Sequence, residues 1–237
     1  MPLLSLVLDR TVDDLELVDA TLADHQVFWA LDQAFPMIEK TEGVASGGAG
    51  GGARGVLVSG LSESDLARLD HYEGGFDYAL KPIQVDTGDG PVMAECFFPE
   101  PRLWSRGANW SLDDWSAQWG EMTLFAAHEV MSYFGQRSPQ EIAVMFPMIR
   151  ARAMAKVNAT RTNHAHSPSG FTNQDVSVRK TGRPYVDFFS IEEYDLSFRR
   201  YDGKHSNMVK RAVFLATDAV IVLPYDPIRD RVLLVEQ

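Results

Sequence analysis

FRRYDGKHSNMVKRAVFLATDAVIVLPYDPIRDRVLLVEQ, residues 198–237, decides the fold of the last part of the chain. Apolar and β-branched residues fill 211–215 and 218–223, turn residues cluster at 224–230, and a second apolar run covers 232–235. This order predicts a strand, a turn and a further strand. Because the last strand would end with the chain, we expect a truncated domain whose remaining elements are absent from this sequence.

The motifs RRYDG, VKRAVF and PYDPIRDRVLLVEQ resemble the opening of Nudix hydrolases of the ADP-ribose pyrophosphatase type, over about the last fifth of the chain. The resemblance implies cleavage of the diphosphate of ADP-ribose, or of a similar nucleoside diphosphate sugar, to AMP and ribose 5-phosphate with divalent metal, expected to be Mg²⁺. That family holds its metal with a helix bearing Arg-Glu-x-x-Glu-Glu, a string that this sequence lacks. We therefore expect no metal ligands here and no hydrolysis by this chain alone.

The same resemblance implies two substrate-binding residues. Arg211, in VKRAVF, matches a substrate-contacting arginine, and Phe188, in DFFS, matches an aromatic residue that stacks on the base. Ala212 stands where such pyrophosphatases commonly have glutamate, which is a departure at the adenine contact. In that family the segment before the catalytic helix also helps to form a homodimer, so a homodimer is expected.

Composition limits the partners and the compartment. The formal net charge of −11 and the isoelectric point near 4.9 disfavour nucleic acid and anionic membranes as partners. A single cysteine, Cys96, argues against a disulfide framework and fits a reducing compartment. No apolar run approaches the roughly 20 residues of a membrane span. These features predict a cytoplasmic protein.

Local signals in the first half define a short helix. Ser62 precedes an acid three residues later, apolar residues follow at helical spacing, and Gly74 is a typical stop. Around it, AFPMI and GVLVSGLSESDLARLDHYEGGFDYALKPIQV resemble the gamma-glutamylcyclotransferase-like superfamily, over residues 1–99. The resemblance implies a small mixed β-barrel with helices, and it places the family's catalytic glutamate on Glu73.

The resemblance implies a definite role for Glu73. In active members the glutamate takes a proton from the substrate's α-amino group, which attacks its own γ-carbonyl and releases 5-oxoproline, and it then protonates the departing amine. A carboxyl with a raised pKa can serve both steps. The family's Tyr-Gly loop, which supplies backbone donors, is absent from this sequence. The alternative for Glu73 is an ordinary acid near a helix C-terminus.

The middle of the chain predicts helices, so the fold class is α+β overall. Residues 100–160 form a helical extension, with Ser111 as one cap, Ser138-Pro139-Gln140-Glu141 as a second capping box, and a kink or break at Pro147. We expect a linker at 161–184 and the incomplete Nudix part, the first strands of an α/β/α sandwich, at 185–237. The histidines 128, 164 and 166 lack the spacing of a zinc site, so no metal site is predicted.

Three functional hypotheses remain open. The chain is part of a hydrolase that fuses a gamma-glutamylcyclotransferase-like domain to a Nudix domain, an arrangement similar to bacterial proteins labelled tellurite-resistance. Alternatively, it is a non-catalytic module that binds a γ-glutamyl-like ligand or supports dimerisation. The third hypothesis is a genuine cyclotransferase that uses Glu73.

Overall fold

A computed structural model describes residues 2–41, 51–161, 170–217 and 221–234. Most of the glycine-rich segment at 46–52, together with His164, His166 and the end of the last predicted strand, lies outside these ranges. The chain divides into two compact units, Met1–Thr162 (unit 1) and Asn163–Gln237 (unit 2). Each unit is described by itself.

Unit 1 combines four helices with two antiparallel sheets. The four-stranded sheet has the order β4-β1-β5-β6 and the three-stranded sheet the order β3-β2-β7. The elements in chain order are α1 (Pro2–Leu8), β1 (Glu16–Ala23), β2 (His25–Ala30), β3 (Pro36–Lys40), β4 (Gly52–Ser59), α2 (Glu63–Glu73), β5 (Tyr78–Thr87), β6 (Gly90–Pro99), β7 (Arg106–Asn109), α3 (Leu112–Met131) and α4 (Pro139–Arg161).

The two sheets of unit 1 have separate apolar clusters. In the larger sheet Leu22, Ala53 and Val85 are buried, with half-buried apolar residues around them. In the smaller sheet Phe28, Ala30 and Met37 are buried. Val27 of β2 and Ile38 of β3 also pack against the first cluster, so alternation along these strands leaves apolar residues on both faces of the smaller sheet. The predicted α+β class is confirmed, and within the described ranges the strands form two sheets and no closed barrel.

The range predicted as a helical extension, 100–160, contains the strand β7 as well as almost all of the helices α3 and α4. Ser111 caps α3, and Ser138 and Glu141 exchange hydrogen bonds at the start of α4 as predicted. Of the predicted kink or break at Pro147, the break is wrong, since α4 continues to Arg161, and the kink stays a prediction. Proline removes one helical N–H, but α4 buries an apolar stripe on both sides of it, which stabilises the continuous helix. The stripe consists of Ile142, Ile149, Ala153 and Val157.

Unit 2 contains a three-stranded antiparallel sheet of order β10-β9-β8. Its strands are β8 (Val176–Val186), β9 (Ser190–Phe198) and β10 (Val209–Leu215), preceded by a short 3-10 helix, Asn173–Asp175. β8 therefore begins inside the range predicted as a linker. The valines at 176 and 178 alternate with polar residues, a strand pattern that the polar composition of the range obscured.

The end of unit 2 differs from the prediction. The pair β11 (Tyr225–Asp226) and β12 (Arg231–Val232) forms a tight hairpin, whereas the described residues 221–223 of the expected strand 218–223 are not in a strand. Apolar β-branched residues favour a strand only where a neighbouring strand pairs with them. Within the described residues, no helix is long and apolar enough to cross a membrane.

Candidate functional site

The helix α2 fixes the position of Glu73. At its start the Ser62 side chain accepts a hydrogen bond from the Asp65 amide at 3.2 Å, and the Asp65 carboxylate accepts one from the Ser62 amide at 2.8 Å. At its end the Gly74 amide donates to the Asp70 carbonyl at 2.7 Å. Glu73 is thus the last residue of a helix that is capped at both ends.

A bidentate ion pair holds the start of α2. Arg10 Nε lies 3.2 Å from Asp65 Oδ1, and its terminal nitrogen lies 2.7 Å from Oδ2. The hydrogen bonds from Arg10 and from Ser62 lower the pKa of Asp65 to about 2. Asp65 therefore stays ionised across the physiological range and anchors the helix that carries Glu73.

The chain directly after Glu73 is pressed against the start of α4. A Cβ atom on Gly75 would lie 2.0 Å from the Pro139 carbonyl oxygen, and one on Gly74 would lie 2.6 Å from the Asp70 carbonyl oxygen. Only glycine fits such close backbone approaches. Gly75 therefore allows the end of α2 to lie against the start of α4, while Gly74 packs against the last turn of α2 itself.

Glu73 itself lies in an environment that disfavours its charge. The residue is half-buried, and burial raises the pKa of its carboxyl from 4.5 to about 7. The helix C-terminus adds a partial negative charge nearby. Among the described residues, no lysine, arginine or histidine pairs with it. At neutral pH the carboxyl therefore occurs in both protonation states, as acid–base catalysis requires.

Neutral hydrogen-bonding groups surround this carboxyl. Burial raises the pKa of Tyr72, of Tyr78 and of the Cys96 thiol, and the negative charge of Glu73 raises each further. These groups stay protonated at neutral pH. Within the described residues, no acceptor meets hydrogen-bond geometry at the buried indole N–H of Trp104, but this donor is close enough to Tyr78 to lower the pKa of that phenol in part.

Unit 2 contains the two other predicted site residues. Arg211 is exposed on β10 opposite Tyr194, and its guanidinium donates to the Lys210 carbonyl at 2.8 Å. Phe188 lies in the turn between β8 and β9, where its ring meets Phe189 edge-on at 4.8 Å. Both side chains are accessible to a ligand.

The structure does not bring Arg211 and Phe188 together. Leu215 pairs with Ser190, at the end of β9 that adjoins the Phe188 turn, while Arg211 lies four residues further along β10. At about 3.4 Å per residue, roughly 13 Å of strand separates them. Ala212 projects from the opposite face to Arg211, because successive strand residues alternate.

The N-terminal unit matches a known protein family. Residues 5–117 match the model of "Gamma-glutamyl cyclotransferase, AIG2-like" proteins, just under half of the chain. The match includes α2 and Glu73. A solution structure from Arabidopsis thaliana is similar at a TM-score of 0.36 and 21% identity, covering 56% of this chain and 84% of that one.

A further similarity is to curated ADP-ribose pyrophosphatases. Those of Escherichia coli K12, Escherichia coli O157:H7 and Shigella flexneri are each 37% identical to this chain over 70 residues. The similarity covers 30% of this chain and 34% of each relative. The chain therefore spans about a third of the length of these curated relatives.

A buried ion pair, which the sequence analysis missed, connects the helices α3 and α4. Arg152 of α4 contacts Glu129 of α3 at 2.6 Å, and the two residues are only 2% and 3% exposed. Because Arg152 neutralises it, Glu129 is a structural acid, in contrast to Glu73. The two residues are 23 positions apart in the sequence, so no local motif predicts that they pair.

A second buried carboxylate, in unit 2, was also missed. Glu192 is 1% exposed, its carboxylate contacts Arg183 Nε at 2.8 Å, and it accepts a hydrogen bond from the Tyr194 hydroxyl. Arg183 lies where the β8–β9 register shifts between Gly182 and Tyr185. A bulge changes the direction of a side chain relative to its neighbours. The alternation of the two faces along a strand therefore does not predict where Arg183 points.

The structure gives no metal centre in its described ranges. No group of three or more histidine, cysteine or acidic side chains there could hold an ion. His128, the described member of the three histidines, lies near the end of α3, and His164 and His166 fall outside the described residues.

Proposed function

We propose that the cyclotransferase-like domain performs gamma-glutamyl cyclotransferase chemistry with Glu73 as general acid and base. The observation that supports this most is a half-buried carboxyl with a pKa of about 7 and no cation beside it in the described part of the chain. The family match supplies the reaction class.

In the proposed reaction Glu73 first accepts a proton from the substrate and later donates one to the departing amine. Its carboxylate removes a proton from the substrate's α-ammonium group, and the freed amine attacks the γ-carbonyl carbon of the same molecule. The bond from that carbon to the departing amine breaks, and the carboxyl of Glu73 protonates the amine as 5-oxoproline forms. General acid–base catalysis of this kind contributes about 10²–10⁴-fold.

The test is release of 5-oxoproline from γ-glutamyl amino acids and γ-glutamyl amines. We expect Glu73→Gln to lower kcat by at least about 10²-fold, because the amide cannot transfer the proton. The matched control is Glu63→Gln, an exposed acid in the first turn of the same helix, which should retain activity. Full activity of Glu73→Gln would overturn the assignment, and ligand binding without turnover by the native protein would favour the non-catalytic module.

We also propose that unit 2 contributes substrate contacts to a Nudix-type hydrolase acting on ADP-ribose or a similar nucleoside diphosphate sugar. The supporting observation is the 37% identity to proteins named ADP-ribose pyrophosphatase. Arg211 would contact the substrate, and Phe188 would stack on its base. Because they lie roughly 13 Å apart along one sheet, they would contact separate parts of an extended ligand.

The metal and the assembly belong to the same proposal. The described residues do not fit a magnesium ion, since they contain no cluster of three or more potential ligands. The Mg²⁺ of the proposed hydrolase would require the Arg-Glu-x-x-Glu-Glu helix of that family, which this sequence lacks. The exposed apolar residues of unit 2 favour a homodimer, which sedimentation velocity would test. A cytoplasmic location is part of the same proposal.

The test of this second proposal separates binding from cleavage. We expect ADP-ribose to bind without release of AMP in the presence of Mg²⁺, and Arg211→Ala to weaken binding at least about tenfold through loss of a charged hydrogen bond. Arg229→Ala, on the exposed hairpin, is the matched control. Equal affinities for the two variants would contradict the role of Arg211, and measurable AMP would contradict the absence of metal ligands.

A further inference from the structure

A ligand-sized cleft lies in unit 2, at the other end of the sheet from Phe188. Its volume is about 580 Å³, within the range of small-molecule sites. The cleft is bounded by the start of β8, the end of β9 and the turn that follows. Its lining includes Phe171, Val176, Phe198, Arg199, Arg200 and Tyr201. The length of β9 separates it from Phe188 by roughly 25–30 Å.

An exposed aromatic side chain stands on a rigid turn at this cleft. Tyr201 is 86% exposed. Its turn is closed by hydrogen bonds from the Arg200 amide to the Lys204 carbonyl at 2.7 Å and from the Gly203 amide to the Arg200 carbonyl at 3.0 Å. Gly203 has φ +78, which glycine adopts without strain. The ring is therefore presented to solvent by a preorganised backbone.

A second ring and a fixed cation complete the wall. The Phe171 and Tyr201 ring centroids lie 4.8 Å apart, and the Arg199 guanidinium lies over the Phe171 ring at 4.8 Å. Asp175 holds Arg199 by an ion pair. The guanidinium of Arg199 thus covers one face of the Phe171 ring. The ring of Tyr201 is exposed and can stack on a planar ligand.

The guanidinium of Arg200 lies at the rim of the cleft, where an anionic ligand can bind it. Arg200 pairs with Asp202 at 2.9 Å, and both side chains are about half exposed. Exposed pairs of this kind contribute little, about 0–1 kcal/mol, so an anionic ligand group competes readily for the guanidinium. A phosphate suits this fork of donors.

We propose that this cleft binds a nucleoside monophosphate, with the base stacked on Tyr201 and the phosphate at Arg200. Base–aromatic stacking tolerates every base because each has a π-face, so the site selects the nucleotide class and not one base. The site is separate from the contacts proposed for Arg211 and Phe188 and depends on neither catalytic proposal.

The test uses AMP and isothermal titration calorimetry on the full chain in an Arg211→Ala, Phe188→Ala background. That background removes the contacts proposed for the hydrolase substrate, so failure of one proposal does not imply failure of the other. We expect AMP to bind there and Tyr201→Ala to weaken it at least about tenfold. Tyr225→Ala, an exposed tyrosine on the hairpin, is the control and should change the affinity less than about twofold.

Further ligands and variants examine the two contacts separately. We expect Arg200→Gln to weaken AMP at least about tenfold and to leave adenosine unchanged. GMP should bind about as well as AMP, and ribose 5-phosphate should bind much more weakly. The proposal is overturned if AMP does not bind at millimolar concentration, if Tyr201→Ala binds it unchanged, or if ribose 5-phosphate matches AMP. Because Tyr201 is exposed, an unchanged circular dichroism spectrum should confirm that its variant folds.

Discussion

The two units of this chain bury their apolar residues to very different extents. Every buried apolar side chain of the described residues lies between Val7 and Val157, in unit 1. Among the described residues of unit 2, the buried ones are Ser190 and Glu192, and both are polar. Unit 1 is therefore stabilised by its own core, whereas the described strands of unit 2 depend on whatever covers their exposed apolar faces.

The largest effect should come from the core of unit 1. Phe28 is 0% exposed, and Phe28→Ala should lower the free energy of unfolding by about 3–5 kcal/mol through lost burial and a residual cavity. All five tryptophans precede residue 120, so their fluorescence during urea unfolding reports on unit 1. If Phe28→Ala lowers the free energy of unfolding by less than about 1 kcal/mol, the cluster around Phe28 is not a packed core.

The next effect concerns the buried ion pair of the helical extension. Glu129→Gln should lower the free energy of unfolding by about 3 kcal/mol, because it removes the charge of a buried carboxylate that contacts the buried Arg152 at 2.6 Å. Urea unfolding followed by tryptophan fluorescence measures it. Glu121→Gln removes the exposed partner of Arg161 and should cost less than about 1 kcal/mol. Equal effects of the two variants would show that Glu129 is solvated.

Glu73 should make the stability of unit 1 depend on pH. Between pH 4.5 and about 7 the folded protein binds the carboxyl proton more tightly than the unfolded chain, so the free energy of unfolding falls as the pH rises. The stabilisation is complete below pH 4.5. Glu73→Gln should remove this slope and raise stability above pH 7 by about 2–3 kcal/mol. The measurement is urea unfolding from pH 4 to pH 8, and an identical slope in both proteins would contradict the raised pKa.

The smallest effect should come from a matched phenylalanine in unit 2. Phe214 is 62% exposed, so Phe214→Ala should change the opening free energy of the β9–β10 amides by less than about 0.5 kcal/mol in hydrogen exchange. A loss above about 2 kcal/mol would show that this face is covered in solution, and the contrast between the units would then disappear.

Local signals explain which parts of the fold were predictable. The helix of Glu73 was predicted because Ser62, Asp65 and Gly74 act within a few residues. The strand predicted at 218–223 is wrong for its described residues 221–223, because a strand depends on a partner that the sequence does not specify. Pro147 was given too much weight because the packing of α4 on α3 is tertiary.

The assignment of Glu73 as the catalytic acid stays a prediction, and the sequence alone did not indicate its environment. A resemblance of motif placed the acid on Glu73, and the raised pKa followed only from its burial. The ion pairs at Glu129 and Glu192 escaped prediction because their partners are brought close by tertiary packing or by a bulge. The roles of Arg211 and Phe188 remain predictions.

The close approach of Gly75 to the Pro139 carbonyl bears on the design of shorter fragments of this protein. The family match ends at residue 117, so a gene fragment cut there would encode the acid-bearing helix without the backbone that abuts it. We expect such a minimal fragment to misfold or to lose its proton affinity at Glu73. We therefore expect a fragment that includes the start of α4 to hold Glu73 in place better than one that ends with the matched segment.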